Sequence, residues 1–116
     1  MNRTENCKRF YWVEEEEPLT LILGVDGGGS KTRAVVTDDS GVIRGEGQAG
    51  CGNHQTSGID AALAEIRAAA EQAVHEAGAA PDEIAAVCYG LAGADRPADF
   101  AVLRPALASL PYRNRL

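Results

Sequence analysis

Three short segments near the start of the chain carry the hydrophobic pattern of β-strands. Residues 19–25 form an apolar run that ends in an acid and three glycines, which is typical of a buried strand. Residues 31–38 alternate between two faces, and residues 42–48 alternate weakly. Because glycine, aspartate and serine fill the connections, the pattern predicts three antiparallel strands in a meander.

One long helix follows these strands. Residues 60–77 show helical periodicity, and Gly78 stands where a left-handed C-terminal cap is expected. The predicted apolar stripe of this helix comprises Leu63, Ile66, Ala70, Val74 and Ala77. Ser57 followed by Asp60 resembles a capping box, so residues 49–57 are predicted to form a loop before the helix.

A fourth strand and a second helix are predicted after that. The apolar run at residues 85–89 is typical of a strand buried on both faces, with Cys88 as a small core side chain. Residues 96–110 again show helical spacing, although Pro105 is expected to kink the helix or end it early. Residues 112–116 are expected to form an unstructured end.

The order β-β-β-α-β-α predicts an α/β fold, with a mixed sheet and helices packed on its faces. The 116 residues, of which 45% are hydrophobic, suffice for one modest core rather than two. Residues 1–18 are mostly polar and end in four glutamates before a proline. We therefore expect a flexible acidic leader over residues 1–18 and one ordered domain over residues 19–116.

Charge and composition exclude several classes of function. The net charge of −6 is opposite to the basic face that nucleic-acid binding requires. No run approaches the ~18 apolar residues of a membrane helix. Cys7, Cys51 and Cys88 lie far apart without a C-x-x-C pair, which favours reduced thiols and a cytoplasmic location. We expect neither nucleic acid nor a membrane as a partner.

The most informative motif is Asp-Gly-Gly-Gly-Ser-Lys-Thr at residues 26–32. Glycines let backbone N–H groups approach an anion closely, hydroxyls add donors, and a lysine adds positive charge. The predicted phosphate-binding residues are Gly27, Gly28, Gly29, Ser30, Lys31 and Thr32. Asp26 is placed to hold a hydrated Mg²⁺ ion. The spacing matches neither a Walker loop nor a dinucleotide fingerprint, and the motif alone is also compatible with a hairpin turn that binds nothing.

Residues 23–35, Leu-Gly-Val-Asp-Gly-Gly-Gly-Ser-Lys-Thr-Arg-Ala-Val, resemble the phosphate-binding segment that opens the superfamily of actin, heat-shock chaperones and sugar kinases. The triple glycine is especially similar to the BadF/BadG/BcrA/BcrD and N-acetylglucosamine kinase family. This resemblance, which extends over residues 21–110, implies a ribonuclease H-like (actin-like ATPase) fold, of which the chain would be a truncated first lobe. It also implies ATP and Mg²⁺ as cofactors, with a nucleotide and an amino sugar as small-molecule partners.

Two further segments resemble the same family. Gly52-Asn53-His54 is similar to a loop whose asparagine contacts the sugar, which implies Asn53 and His54 as substrate residues. The segment from Gly90 to Asp95 is similar to the family pattern G-x-[SA]-G-x-D, which implies that Asp95 accepts the proton of the sugar hydroxyl. Without the resemblance, Asp95 could equally cap the last helix, and Asn53 with His54 would be a solvated loop pair.

The implied function is ATP-dependent phosphorylation of an amino sugar such as N-acetylglucosamine. Family members have two lobes that hold the nucleotide between them, and the segments of the second lobe have no counterpart in these 116 residues. We therefore expect weak or absent activity from this chain alone. The alternatives are an activator ATPase of the 2-hydroxyacyl-CoA dehydratase or benzoyl-CoA reductase type, and a non-catalytic remnant of the fold. An exposed sheet edge is also expected to promote homo-association.

Overall fold

Four strands form one sheet in the computed structural model, which describes residues 19–116. They are β1 (Leu21–Gly27), β2 (Thr32–Asp38), β3 (Ile43–Ala49) and β4 (Ile84–Leu91), in the order β3-β2-β1-β4 across the sheet. β1 pairs antiparallel with β2 and parallel with β4, and β2 pairs antiparallel with β3. The predicted meander and mixed sheet are therefore confirmed. The predicted leader lies outside the described residues.

Within residues 19–116, three helices and one short turn accompany the sheet. α1 (His54–Ser57) is a single turn, and α2 (Ile59–Glu76) has 18 residues. A 3₁₀ turn (Pro81–Glu83) leads into β4, and α3 (Pro97–Ala108) follows it. The predicted element order is confirmed, except that α1 lies in a segment predicted to be a loop. None of the helices within residues 19–116 has the length and apolar character needed to cross a membrane.

Glycines stand at both ends of α2. Gly58 is the N-cap with a φ of 88°, and no side chain caps the helix there. The Ser57 hydroxyl instead donates to a carbonyl of the preceding turn, so the predicted capping box is wrong. Gly78 has a φ of 70°, and the N–H of Ala79 after it donates to Val74 O at 3.1 Å. The predicted left-handed cap at the C-terminal end is therefore confirmed.

The core lies between one face of the sheet and α2, with Leu107 of α3 partly buried against it. Leu23, Val36 and Ile66 are at most 1% exposed. The buried side chains of α2 are Ala62, Ile66, Ala69, Ala70, Ala73 and Val74. Leu63 and Ala77, which the sequence pattern placed in the apolar stripe, are only partly buried. Small alanines therefore make most of the contact between α2 and the sheet.

Glycines on β3 allow α2 to approach closely. A Cβ atom added to Gly47 would stand 2.8 Å from Gln72 Cβ and 2.9 Å from Ala73 N. A Cβ atom added to Gly45 would stand 2.7 Å from Ala77 N. Since real Cβ atoms do not approach other atoms this closely, only glycine fits at these two positions of the strand.

Polar side chains of α2 occupy the outer edge of β3. The bonds run from Glu46 N to Glu76 Oε1 (2.7 Å), from Gln48 N to Gln72 Oε1 (3.1 Å) and from Gly50 N to Glu65 Oε1 (2.6 Å). Unpaired N–H groups at a sheet edge are what a second chain would pair with. These three donors are already engaged, so homo-association stays a prediction without support from this edge.

β4 and Cys88 differ from their predictions. β4 lies at the other edge of the sheet, and only one of its faces packs against the helices. Ile84 is fully buried, whereas Cys88 projects from the opposite face and is exposed. The prediction of burial on both faces is therefore wrong, because a short apolar run does not reveal how many faces of a strand are covered.

The end of the chain is more ordered than its sequence predicts. α3 continues through Pro105 to Ala108, so of the two effects expected of this proline the early end does not occur, and the kink stays a prediction. Tyr112 is only 4% exposed and belongs to the core. The N–H of Arg115 donates to Ala85 O of β4 at 2.7 Å. Residues 112–116 therefore lie along the free edge of β4 instead of forming an unstructured end.

Candidate functional site

Three predicted segments meet at one end of the sheet. They are the glycine loop at residues 27–31, the segment at residues 50–55, and the loop at residues 91–96 that follows β4. The joining hydrogen bonds run from Gly52 N to Gly28 O (2.9 Å), from Ala92 N to Gly27 O (2.8 Å) and from Gln55 Nε2 to Gly93 O (2.9 Å). The meeting point lies at the C-terminal ends of the parallel strands β1 and β4, and α/β sheets bind ligands at such ends.

Glycine is required where these segments touch. A Cβ atom on Gly27 would stand 2.7 Å from Leu91 Cδ2 and 3.2 Å from Gly52 O. A Cβ atom on Gly52 would stand 3.0 Å from Gly27 Cα. Gly93 has a φ of 88°, and a Cβ atom there would stand 3.2 Å from Asn53 Cγ. Gly27 therefore serves the contact between segments as well as the glycine loop.

The glycine loop combines an internal hydrogen bond with three available donors. Gly28 N donates to Lys31 O at 2.9 Å, which closes the turn. The N–H groups of Gly29, Ser30 and Lys31 donate to no acceptor within residues 19–116. A Cβ atom on Gly29 would meet nothing within 4 Å, and the Lys31 side chain is exposed. Gly28 thus shapes the turn, while the next three residues supply the donors that an anion needs.

The Thr32 side chain is buried and forms a hydrogen bond within the fold. It is fully buried, and its hydroxyl donates to Gly50 O at 2.8 Å. This bond ties the start of β2 to the segment after β3. The prediction that the Thr32 hydroxyl donates to a phosphate conflicts with this contact, so we leave Thr32 out of the anion site.

Asp26 and Asp95 are both exposed, one at the end of β1 and the other in the loop after β4. Neither carboxylate forms an ion pair or accepts a hydrogen bond from residues 19–116. Asp26 lies on the face of the sheet without helices, opposite Arg33 of β2 in register. The N-cap of α3 is Arg96, so the alternative role of Asp95 as a helix cap is wrong.

Asn53 and His54 face different surroundings. The Oδ1 atom of Asn53 accepts from Gln55 N at 2.9 Å and caps α1, while its Nδ2 donates to no acceptor in the described part of the chain. The His54 side chain is 9% exposed, and its Nε2 lies 3.1 Å from Asp99 Oδ1. Its Nδ1 is buried and has no hydrogen-bond partner among residues 19–116. Asn53 can therefore reach a ligand, whereas the ring of His54 is directed into the protein.

Asp99 is the residue of this region that the sequence pattern did not indicate. It lies in the first turn of α3 and is 5% exposed. Its Oδ1 accepts from His54 Nε2 and from Gln55 Nε2 (3.0 Å). Its Oδ2 accepts from Asp95 N (3.2 Å) and from Arg96 N (2.9 Å). An aspartate in a first helical turn was the only available signal, and that signal usually marks an exposed side chain.

These donors keep Asp99 ionised. The hydrogen bond from the Gln55 side chain outweighs the opposing effect of burial, and bonds from Arg96 and from Asp95 N add to it. Together they hold the pKa of Asp99 well below its usual range. A charged carboxylate with donors on both oxygens therefore lies between the α1 turn and the loop after β4.

Comparisons with known proteins show the family of this chain. A family model, described as the BadF/BadG/BcrA/BcrD ATPase family, matches residues 23–102. The chain is 27% identical over 98 residues to the N-acetylmuramic acid/N-acetylglucosamine kinase of Clostridium acetobutylicum, which covers 84% of this chain and 32% of that protein. It is 34% identical over 74 residues to a glucosamine kinase of Vibrio cholerae, which covers 64% of this chain and 25% of that protein.

A solved structure shares the fold. It is a protein of Chromobacterium violaceum assigned as an N-acetylglucosamine kinase, with a TM-score of 0.60 and 22% identity. The match covers 82% of this chain and 33% of that one. The predicted α/β fold of the actin-like type is thus confirmed. The chain spans no more than a third of the length of the proteins it matches.

Proposed function

Because the chain belongs to the BadF/BadG/BcrA/BcrD ATPase family, we propose that it forms the part of an ATP-dependent amino-sugar kinase that receives the phosphates of ATP and the acceptor sugar. One observation carries the proposal. Backbone hydrogen bonds bring three segments together at the C-terminal ends of two parallel strands. They are the glycine loop, the segment at residues 50–55 (the Asn53 turn) and the loop at residues 91–96 (the Asp95 loop). Phosphoryl transfer to a sugar needs a phosphate cradle, a group that binds the acceptor and a base, and the three segments would supply these in that order.

The glycine loop and Asp26 would hold the nucleotide. The N–H groups at residues 29–31 and the Lys31 ammonium suit a phosphate, because they supply donors and positive charge and have no partner within residues 19–116. Asp26 offers one exposed carboxylate, which suits an ion that keeps most of its waters. ATP supplies the transferred phosphoryl group, and Mg²⁺ offsets its charge.

Asn53 and Asp95 would act on the sugar. The Asn53 side chain lies beside Gly93, and its Nδ2, which donates to no acceptor within residues 19–116, can recognise a hydroxyl or the N-acetyl carbonyl. Asp95 has an exposed carboxylate without a partner in the described chain, so it is available to accept the proton of the attacked hydroxyl. In this proposal His54 supports the site from within the fold, while a cytoplasmic location remains a prediction.

Ligand binding by the full chain tests the proposal. We expect N-acetylglucosamine to shift the NMR signals of backbone amides at residues 52–55 and 92–96, and ATP with Mg²⁺ to shift those at residues 28–31. Glucose and ATP with EDTA serve as weaker-binding controls. If neither ligand moves these signals at millimolar concentration, the proposal is overturned and the chain is a non-catalytic member of its family.

Two matched pairs of variants assign the roles. Asn53→Ala should weaken sugar binding, whereas Thr56→Ala on the same helical turn should leave it unchanged. Asp95→Asn should retain sugar binding and remove any phosphorylation that the chain performs, whereas Asp82→Asn, an exposed aspartate in the 3₁₀ turn, should change neither. We expect phosphorylation by the chain alone to be far below the ~10 s⁻¹ of ordinary enzymes. Turnover near that value would show that the part of the relatives that this chain does not span is not needed.

The non-catalytic alternative has one specific observation in its favour. Of the groups that the sequence assigned to the phosphate, the Thr32 hydroxyl and the Gly28 N–H are bonded within the protein. The activator-ATPase alternative gains no such support, since the relatives reported above are sugar kinases. The ligand titration separates the kinase proposal from the non-catalytic alternative, because only the kinase proposal requires both ligands to bind.

A further inference from the structure

We infer that Asp99 is a positioning residue whose carboxylate fixes the turn that carries Asn53 relative to the loop that carries Asp95. The importance of this coupling for the sugar rests on the proposed function. The coupling itself rests only on the contacts of Asp99 with its neighbours.

One oxygen of Asp99 holds the Asn53 turn. Oδ1 accepts hydrogen bonds from two consecutive side chains of α1, His54 (3.1 Å) and Gln55 (3.0 Å). The same Gln55 amide also donates to Gly93 O at 2.9 Å, so it bridges α1 to the loop after β4. Asn53 immediately precedes these two residues and caps their helical turn. A shift of Oδ1 would therefore displace the Asn53 side chain.

The other oxygen holds the Asp95 loop. Oδ2 accepts from the backbone N–H groups of Asp95 (3.2 Å) and Arg96 (2.9 Å), and the Arg96 guanidinium Nε lies 3.4 Å away. Backbone bonds on two consecutive residues fix the direction in which the chain leaves the loop. The Asp95 side chain, which is exposed and has no partner in the described part of the chain, is oriented through its own bonded backbone.

Only an ionised carboxylate serves both sides. Asp99 is almost completely buried, and every group that faces its oxygens is a donor. An asparagine in its place keeps one acceptor oxygen and turns an NH₂ group toward donors on the other side. The buried His54 Nδ1 has no partner among residues 19–116, so in this part of the chain the ring forms its side-chain hydrogen bond through Nε2 to Asp99.

The coupling matters because group transfer depends on small displacements. A reacting hydroxyl and its base must be aligned closely, and a shift of ~1 Å can reduce the rate about a hundredfold. If Asn53 holds the acceptor and Asp95 takes its proton, the rigid link between them sets that alignment. Asp99 would then act on the reaction without touching the sugar.

Amide hydrogen exchange of the full chain tests the coupling directly. Gln55→Ala removes a donor from Oδ1, on the Asn53 side, and Gln55 is exposed, so the fold should tolerate the change. We expect exchange of the Asp95 and Arg96 amides, on the opposite oxygen, to accelerate roughly fivefold, about the value of one hydrogen bond. Thr56→Ala, one residue further along the same turn and without a bond to Asp99, should leave these amides unchanged.

A second pair of variants keeps the test decisive if Gln55→Ala fails to fold. His54→Leu removes the other donor to Oδ1, while His54→Gln keeps a side-chain N–H near the same place and should accelerate exchange less. Asp99→Asn should accelerate amide exchange both in α1 and in the loop at residues 91–96. Asp38→Asn is its control, because Asp38, the last residue of β2, is another buried carboxylate with backbone and arginine donors.

Sugar titration completes the test. Faster exchange together with at least threefold weaker N-acetylglucosamine binding by Gln55→Ala than by Thr56→Ala supports the inference. Faster exchange in a protein whose wild type binds no sugar supports the coupling and overturns the proposed function. Unchanged exchange at Asp95 and Arg96 overturns the inference, and so does faster exchange with unchanged sugar affinity in a protein whose wild type binds the sugar.

Discussion

Gly47 is the position where the packing of the fold can be tested most sharply. β3 crosses α2 there, and a Cβ atom on Gly47 would stand 2.8 Å from Gln72 Cβ and 2.9 Å from Ala73 N. It would lie closer still to Ala69 O. Two of these three atoms belong to the helix backbone, which cannot rotate away as the end of a side chain can. Gly47→Ala must therefore push α2 away from the sheet.

The magnitude follows from opposing effects. Overpacking costs about 1–3 kcal/mol, and the upper value applies because backbone atoms block the methyl group. Replacing glycine by alanine in a strand recovers roughly 0.5–1 kcal/mol. We expect Gly47→Ala to reduce the free energy of unfolding by about 2 kcal/mol. For a domain of this size that corresponds to a fall in melting temperature of about 8–16 °C.

Gly24→Ala is the matched control. Gly24 is also a strand glycine, and a Cβ atom there would meet nothing within 4 Å. This variant should be as stable as the wild type or more stable. Urea unfolding followed by far-ultraviolet circular dichroism measures both variants. Equal unfolding midpoints for Gly47→Ala and Gly24→Ala would refute the claim that glycines set the distance between α2 and the sheet.

Three further predictions concern the glycine loop, the stability of the fold at acid pH and the β3 edge of the sheet. Gly27→Ala should destabilise the fold because its methyl group would meet neighbouring segments, whereas Gly29→Ala should unfold at the wild-type denaturant concentration. Equal losses of stability in the two variants would contradict the claim that Gly27 packs against other segments while Gly29 does not. The depressed pKa of Asp99 adds stability that is complete above the ordinary carboxyl pKa of about 4 and is lost as the pH falls through the folded value. The gap in melting temperature between wild type and Asp99→Asn should therefore narrow between about pH 7 and about pH 2, and a constant gap would argue against this linkage. Removing both Gln72 and Glu76 side chains by alanine substitution should free N–H groups at the β3 edge and promote self-association in sedimentation experiments, and a strictly monomeric double variant would speak against their protective role.

The strands and the long helix were predictable because their patterns are local. Alternation along β2 and the glycine after α2 each depend on a few neighbouring residues, and both appear in the structure as predicted. The packing of α2 was less predictable. Ala69 and Ala73 are fully buried because they face strand glycines, and alanine carries little hydrophobic signal that would distinguish it from an exposed position.

The site was predictable in its segments but not in its contacts. The motifs located the glycine loop, the Asn53 turn and the Asp95 loop, since each is a short run of unusual residues. The inward direction of His54 and the role of Asp99 depend on bonds between residues 45 apart in sequence. The burial of Thr32 likewise depends on Gly50, which lies 18 residues away. Such long-range pairings leave no periodic trace in a single sequence.

Paramagnetic relaxation tests the central claim most directly, that three separate segments form one nucleotide and sugar site. ATP bound with Mn²⁺ in place of Mg²⁺ broadens the NMR signals of amides near the metal. The account predicts the strongest broadening at residues 26–31, 52–55 and 92–96, and little at the β2–β3 turn at the opposite end of the sheet. Broadening that is uniform over the chain, or centred on that turn, would contradict the account.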